Sequence, residues 1–209
     1  MREVVARPYR SDRPLPRRRA PWERLSVAAP WLYRWTAHIV LRSLRVDSRL
    51  RRALLRASFR SGYGAFNRRD FDLMLVRYTK DCEFVTSSGL RSLGASGSIR
   101  NHDGLRQFVE TIAEAWQGWE LRPHGFIDLG DRVLWLGTQR ALGGASQIPI
   151  EDPYAQLQDI DRGLISRQQA FNDWDAALRA GGAAPRRGVG PRGAWRTSRQ
   201  LDLGVRPGD

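Results

Sequence analysis

The sequence predicts an α+β domain in which helices come first and a run of antiparallel strands follows. Between residues 50 and 116 the apolar residues recur every three to four positions, which is the helical period. After residue 118 apolar and polar residues alternate, which is the period of strands. A chain of 209 residues with eight tryptophans and seven phenylalanines can also bury a real core. Together these observations favour helices packed on one face of a single sheet.

The two ends of the chain differ from its centre. Residues 1–30 hold five prolines and no apolar period, so we predict a disordered basic segment there. Residues 31–49 are amphipathic, and we interpret them as a helix packed on the body, with a basic helix on an anionic membrane surface as the alternative. Residues 182–209 are rich in Gly, Pro and Arg, which predicts a flexible tail. The domain itself is predicted to span residues 50–181.

The net charge of +13 is concentrated near these ends. Residues 1–60 carry sixteen arginines against four acidic residues, whereas residues 61–180 carry 13 basic and 16 acidic residues. A nucleic-acid-binding domain places its basic residues on the fold itself, so this distribution argues against a nucleic-acid partner. No apolar run is long enough to span a bilayer or to serve as a signal peptide, and we expect a cytoplasmic protein. The single cysteine, Cys82, excludes an internal disulfide.

The helices are predicted from their apolar stripes and capping residues. The first has its stripe at three- to four-residue steps, at Leu54, Leu55, Phe59, Tyr63 and Phe66. A polar break over residues 67–70 places Asp70 as the N-cap of a second helix. Residues 82–86 alternate as a strand, and Asp103 is placed to cap a third helix that runs to Trp116.

Turn residues separate the strands that follow. Gly130 with Asp131, and then residues 161–163, have the composition of tight turns. Asp173 is placed to cap a short closing helix, which Gly181 and Gly182 would end. The predicted strands are residues 119–129, 132–142, 148–160 and 164–172.

Several of these strings, in this order, resemble a known family. Residues 66–71 (FNRRDF) are similar to the Asn-x-x-Asp break of SnoaL-like domains, and residues 101–105 (NHDGL) resemble the start of their third helix. Residues 126–133 and 161–165 resemble their central and final hairpins. These domains belong to the nuclear-transport-factor-2-like and ketosteroid-isomerase-like superfamily. The resemblance implies a cone-shaped α+β barrel, with three helices packed in a strongly curved antiparallel sheet around a ligand pocket.

The resemblance does not bring a catalytic set with it. Members of the superfamily include isomerases and polyketide cyclases, and also proteins without catalytic activity. The steroid isomerases use an aspartate base, a tyrosine and a protonated aspartate. Counted from the Asn-x-x-Asp break, these three positions fall on Thr86, on Gly62 and near Ala155. The residues of steroid-isomerase catalysis are therefore absent at these positions.

The same counting places six polar side chains in the pocket: Tyr63, Thr86, Thr138, Arg140, Gln168 and Asn172. Buried polar groups need partners, so these residues predict a small, largely apolar ligand with acceptor groups. Arg140 would anchor a carboxylate or a polyketide carbonyl. A shift of one residue in strand register would turn these side chains to solvent instead.

Two functions stay open at this point. One is the binding of a small molecule, with acid–base isomerisation or cyclisation as the reaction if the protein is an enzyme. The other is a non-catalytic module for ligand binding or dimerisation. No histidines have the spacing of metal ligands, so we expect no metal and no cofactor. We expect a homodimer, because relatives pair through the outer sheet face on which His124 is predicted, and we do not favour a membrane contact.

Overall fold

A computed structural model describes residue 15 and residues 18–46, 48–92, 95–143 and 149–182. The helices are α1 (Pro21–Ala28), α2 (Pro30–Ser43), α3 (Arg49–Asn67), α4 (Phe71–Leu75), α5 (Ser88–Ser92), α6 (Asn101–Ala115) and α7 (Trp174–Gly181). The strands are β1 (Tyr78–Val85), β2 (Ser98–Arg100), β3 (Trp116–Asp128), β4 (Arg132–Gly143), β5 (Pro149–Asp161) and β6 (Leu164–Phe171).

Local capping explains where most helices begin. The Asp70 carboxylate accepts a hydrogen bond from Leu73 N at 3.2 Å and caps α4, which confirms the prediction. Asp173 caps α7 in the same way, also as predicted. At α6 the predicted cap is wrong, because Asn101 Oδ1, and not Asp103, accepts from Gly104 N at 2.9 Å. Asn101 has φ +61°, a conformation that asparagine tolerates better than most residues.

Six strands form one curved sheet in the order β2-β1-β6-β5-β4-β3. Strands β3 to β6 are successive antiparallel neighbours, as the sequence predicts. The prediction of a wholly antiparallel sheet is wrong at one place, because β1 runs parallel to β6. Register shifts at Pro123/Gly125 and Asp159/Ile160 mark bulges, which bend strands and so allow the sheet to curve.

Side chains are buried on both faces of the central strands. On the concave face the core joins α3, α4 and α6 to the sheet through residues such as Phe59, Leu105 and Trp135. On the outer face a second cluster, which includes Leu136 and Leu157, is covered by α7. Both faces of β4 are therefore apolar and buried, so the alternation of apolar and polar residues cannot show which of its side chains face the core.

The helices α1 and α2 form an N-terminal extension, which is folded against the domain. Residues 21–28 form α1, so the prediction of disorder over residues 1–30 is wrong there. Glu23 is 1% exposed and accepts a hydrogen bond from Arg68 Nη2 at 3.1 Å, which ties α1 to the domain. The predicted helix over residues 31–49 exists as α2, although it ends at Ser43.

The remaining predictions for the ends lie outside the described residues, since these exclude residues 1–14, 16–17 and 183–209. Within the described part of the chain, none of the helices has both the length and the apolar character required to cross a membrane.

Candidate functional site

A cavity of about 50 Å³ lies between α3, α6 and the concave face of the sheet, and we call it the cone cavity. Its walls are largely aromatic, with Phe59, Phe66, Phe84, Phe108, Trp119 and Trp135 among them. Phe59 stacks on Trp135 with ring centroids 4.3 Å apart, which gives the cavity a flat aromatic wall.

Polar side chains also line this apolar cavity: Tyr63, Arg77, Tyr78, Tyr154, Gln156, Gln158 and Gln168. Three of them, Tyr78, Gln158 and Gln168, form a continuous network with Trp135. Trp135 Nε1 donates to Gln158 Oε1 at 2.6 Å, and Gln158 Nε2 donates to Gln168 Oε1, also at 2.6 Å. The Tyr78 hydroxyl donates to the same Gln168 oxygen at 2.7 Å. The network fixes these side chains without a bound molecule.

The Tyr63 hydroxyl lies outside this network. Tyr63 is 4% exposed, and its oxygen has no hydrogen-bond partner within the described part of the chain. Burial raises the pKa of Tyr63 well above its ordinary value, and burial also raises the pKa of Tyr154 to about 12. The pKa of Tyr78 is raised for the same reason. All three phenols are therefore protonated near neutral pH and can donate hydrogen bonds.

Arg77 brings a positive charge into the cavity wall. It follows α4, is 7% exposed, and donates from Nη1 to the carbonyl oxygen of Ser58 in α3. No ion pair involves Arg77 among the residues that the structure describes. Gly62 makes room for the guanidinium, because a Cβ at that position would lie 2.8 Å from Arg77 Nη1. Gly62 is the position to which the resemblance assigned the isomerase tyrosine.

Two of the six predicted site residues line the cone cavity, namely Tyr63 and Gln168. On β4 the predicted register is wrong by one residue, because Trp135 lines the cavity and Leu136 packs in the outer cluster. Thr138 lies on the outer side, with its Oγ1 3.3 Å from His124 Nε2. Arg140 is exposed to solvent and anchors nothing in the cavity.

The two other predicted residues lie elsewhere in the fold. Thr86 follows β1 directly, and its hydroxyl donates to the Ser96 carbonyl at 2.7 Å, so it closes a loop. Asn172 follows β6, and its amide packs against Gly89 of α5. Neither side chain reaches the cone cavity.

Strand β5 supplies the polar residues that the sequence analysis missed. Tyr154, Gln156 and Gln158 occupy every second position and line the cavity, whereas Ala155 is in the outer cluster. The alternation of polar residues in β5 was the available signal. Arg77 carried no such signal, since it lies in a turn.

The donor set limits the chemistry of the cavity. None of the described lining residues is an aspartate, glutamate or histidine. Among the described residues there is also no group of three side chains suited to hold a metal ion. Cys82 is buried nearby in the core, and burial together with Asp81 raises the pKa of its thiol to about 11. The cavity thus offers hydrogen-bond donors and a cation, and no base that titrates near neutral pH.

Solved structures with this architecture are found by comparison. An NTF2-like protein of unknown function from Burkholderia pseudomallei K96243 is 22% identical, with a TM-score of 0.52 over 59% of this chain and 94% of that one. The structure of TerC, co-crystallised with polyporic acid, is 23% identical, with a TM-score of 0.51 over 61% and 97% of the two chains. Both similarities support the NTF2-like cone fold.

Among curated proteins, no match to this chain is found. The sequence profile of the SnoaL-like domain matches residues 59–168, which are more than half of the chain. That range runs from the middle of α3 to β6 and includes every element around the cone cavity. The resemblance expected from the sequence is confirmed, and the chain belongs to the SnoaL-like domain family.

Proposed function

We propose that the chain binds, in the cone cavity, a compact and largely apolar molecule that carries an anionic or acceptor oxygen. One observation carries the proposal: the buried Tyr63 hydroxyl lacks a partner among the described residues, in a cavity that also holds the guanidinium of Arg77. Aromatic walls suit an apolar ring, and the small volume limits the part of the ligand that is buried there to a small group.

Energetics support an oxygen-bearing ligand. A buried donor without an acceptor costs about 1–3 kcal/mol, and a buried charge without a partner costs more. A ligand oxygen that accepts from the Tyr63 hydroxyl would remove the first cost. A carboxylate or enolate oxygen on Arg77 would remove part of the second, through a charge-assisted hydrogen bond.

The same residues favour binding without acid–base catalysis. Isomerisation or cyclisation of this type needs a group that takes a proton from the substrate. The phenols hold their protons, the glutamine amides do not titrate, and the Arg77 guanidinium carries N–H donors and no acceptor atom. We therefore favour the non-catalytic ligand-binding module over the isomerase or cyclase.

Isothermal titration calorimetry of the full chain with benzoate and with benzamide tests the proposal. The two molecules share a ring and differ in charge, so we expect benzoate to bind about tenfold more tightly. Polyporic acid is a third probe, chosen because TerC was co-crystallised with it. Equal affinity for benzoate and benzamide, or no binding of any of the three, would contradict the proposal.

Variants locate the binding to the cone cavity. Gly62→Ala would push the Arg77 guanidinium from its place, and the end of a flexible side chain can move without unfolding α3. We expect Gly62→Ala and Arg77→Met to lose the preference for benzoate. Arg140→Met is the matched control, because Arg140 is exposed and should change nothing. A loss in Arg140→Met equal to that in Arg77→Met would place the binding elsewhere.

A further inference from the structure

A second and larger cavity, of about 430 Å³, lies beneath the N-terminal extension, and we call it the α1–α2 cavity. Leu25 of α1 and Val40 of α2 form one wall. Leu55 of α3, with Ile160 and Ile165 at the β5–β6 hairpin, forms the facing wall. Because α1 and α2 lie before residues 59–168, this cavity belongs to the extension of this chain and not to the family domain alone.

The extension is held over this cavity by specific contacts. The buried guanidinium of Arg51 donates to the carbonyl oxygens of Leu41 at 2.6 Å and Leu44 at 3.1 Å, at the end of α2. In the middle of α2 the backbone of His38 lies against the β5–β6 turn at Gly163. A Cβ at residue 163 would clash with His38 N. Gly163 also has φ +85°, so the turn and the close approach both require glycine.

The inner end of the α1–α2 cavity is charged. Arg77, Trp135 and Gln158 line this cavity as well as the cone cavity, so they form the partition between the two. The only hydrogen bond of the Arg77 guanidinium within the described residues goes to Ser58, which leaves most of its N–H groups for other acceptors. A buried cation of this kind calls for an anionic partner.

The outer end of the cavity is apolar. Trp22, Leu25 and Leu54 line it and are also 39–51% exposed to solvent, so its mouth has a hydrophobic rim. An apolar channel that leads inward to one cation matches a molecule with a long apolar part and a single anionic group. A compact aromatic acid would leave most of these walls uncovered.

We propose that the α1–α2 cavity is a second ligand site, which binds a single-chain amphiphile with a carboxylate head. The carboxylate pairs with Arg77, and the alkyl chain runs between α2 and α3 toward the rim. This site is separate from the one in the proposed function, although the two share Arg77 in their common wall.

Titration of the full chain with decanoate and with decanol tests this site. We expect decanoate to bind about tenfold more tightly than decanol, and the difference to vanish in Arg77→Met. Val40→Phe narrows the cavity from α2 and should weaken the binding of both molecules. Ile39→Phe is the matched control, since Ile39 is the neighbouring residue on α2, is exposed and does not line the cavity.

The outcomes separate this proposal from the proposed function. Tyr63→Phe should weaken the binding of benzoate and leave that of decanoate unchanged, because Tyr63 lines the cone cavity and does not line the α1–α2 cavity. Val40→Phe should do the reverse. Decanoate that binds Val40→Phe as tightly as the unaltered chain, or no binding of decanoate at all, would overturn this inference. If the unaltered chain binds decanoate as expected but does not bind benzoate, that result contradicts the proposed function and leaves this inference standing.

Discussion

Arg77 and Tyr63 are the residues on which the proposed ligand binding in the cone cavity depends. Arg77 has one hydrogen bond, to Ser58, and the Tyr63 hydroxyl has none within the described residues. Buried polar groups in folded proteins are almost always paired. The incomplete pairing of these two groups therefore lowers the stability of the fold. A ligand that supplies the missing hydrogen-bond partners recovers that free energy when it binds.

Tyr63→Phe is expected to raise the free energy of unfolding by about 1 kcal/mol, because it removes a buried hydroxyl that has no partner in the described part of the chain. The same change should weaken benzoate binding. Urea unfolding and calorimetry measure the two effects, which have opposite signs. Tyr154→Phe is the control and should lower stability, since the Tyr154 oxygen accepts from Gln156 Nε2 at 2.9 Å. A loss of stability in Tyr63→Phe would contradict this prediction.

At this scale the sequence predicted only part of the site. Tyr63 was found because the stripe of α3 places it on the buried face, and Gln168 because β6 was in the correct register. Arg77 could not be found, since it lies in a turn and meets Gly62 only through the packing of α3.

Single elements of the fold are joined by buried ion pairs. Arg51 of α3 is 2% exposed and contacts both oxygens of Asp128 at the end of β3, at 2.7 and 2.8 Å. The pair connects α3 to the sheet beside the end of α2, whose carbonyl oxygens Arg51 also contacts.

Asp128→Asn should cost about 3 kcal/mol of unfolding free energy, because it leaves the buried Arg51 without a counter-charge. Urea denaturation measures the change. Asp161→Asn is the matched control and should stay within about 0.5 kcal/mol, since Asp161 is largely exposed in its turn. Equal effects of the two substitutions would show that the Arg51 pair does not stabilise the fold.

A second pair acts at the start of α4. Burial by itself would raise the pKa of Asp70, but hydrogen bonds from Arg19 and Leu73 N, with the charges of Arg19 and Arg68, hold it below the ordinary 3.8. Because the folded-state pKa is lowered, ionised Asp70 stabilises the fold above that value. This stability is lost as the pH falls from about 3.8 through the lowered pKa.

Asp70→Asn tests that dependence, because asparagine keeps the cap of α4 and removes the charge. We expect the variant to be less stable than the unaltered chain at neutral pH. The difference should shrink as the pH falls below 3.8. The measurement is the free energy of unfolding of both proteins across this pH range. A difference that does not change with pH would contradict the stabilising role of ionised Asp70.

Over the whole molecule, the extension and the domain form one folded unit. Arg68 donates a hydrogen bond to Glu23 of α1, and Arg51 donates one to the Leu41 carbonyl near the end of α2. Trp31 and Trp35 of α2 are 70% and 60% exposed, which leaves an apolar strip outside. The predicted homodimer stays a prediction, which analytical ultracentrifugation would measure.

A chain that begins at residue 46 should unfold at a lower temperature than the full chain. Arg51 would lose its acceptors on Leu41 and Leu44, Arg68 would lose Glu23, and apolar side chains such as Ile165 would be uncovered. Thermal unfolding followed by circular dichroism measures the change. An unchanged midpoint would mean that the extension contributes nothing to stability.

The sequence by itself determined the order of the main helices and the long strands of the domain, the caps of α4 and α7, the turns between the last strands, and the family. These features depend on residues within a few positions of one another, and propensity and periodicity report such local relations. Only the tertiary structure decided which face of β4 meets the cavity, because α7 buries Leu136 outside as fully as the core buries Trp135 inside. It also decided that α1 and α2 close a second cavity over Arg77, since the contacts that hold them join residues far apart in the chain.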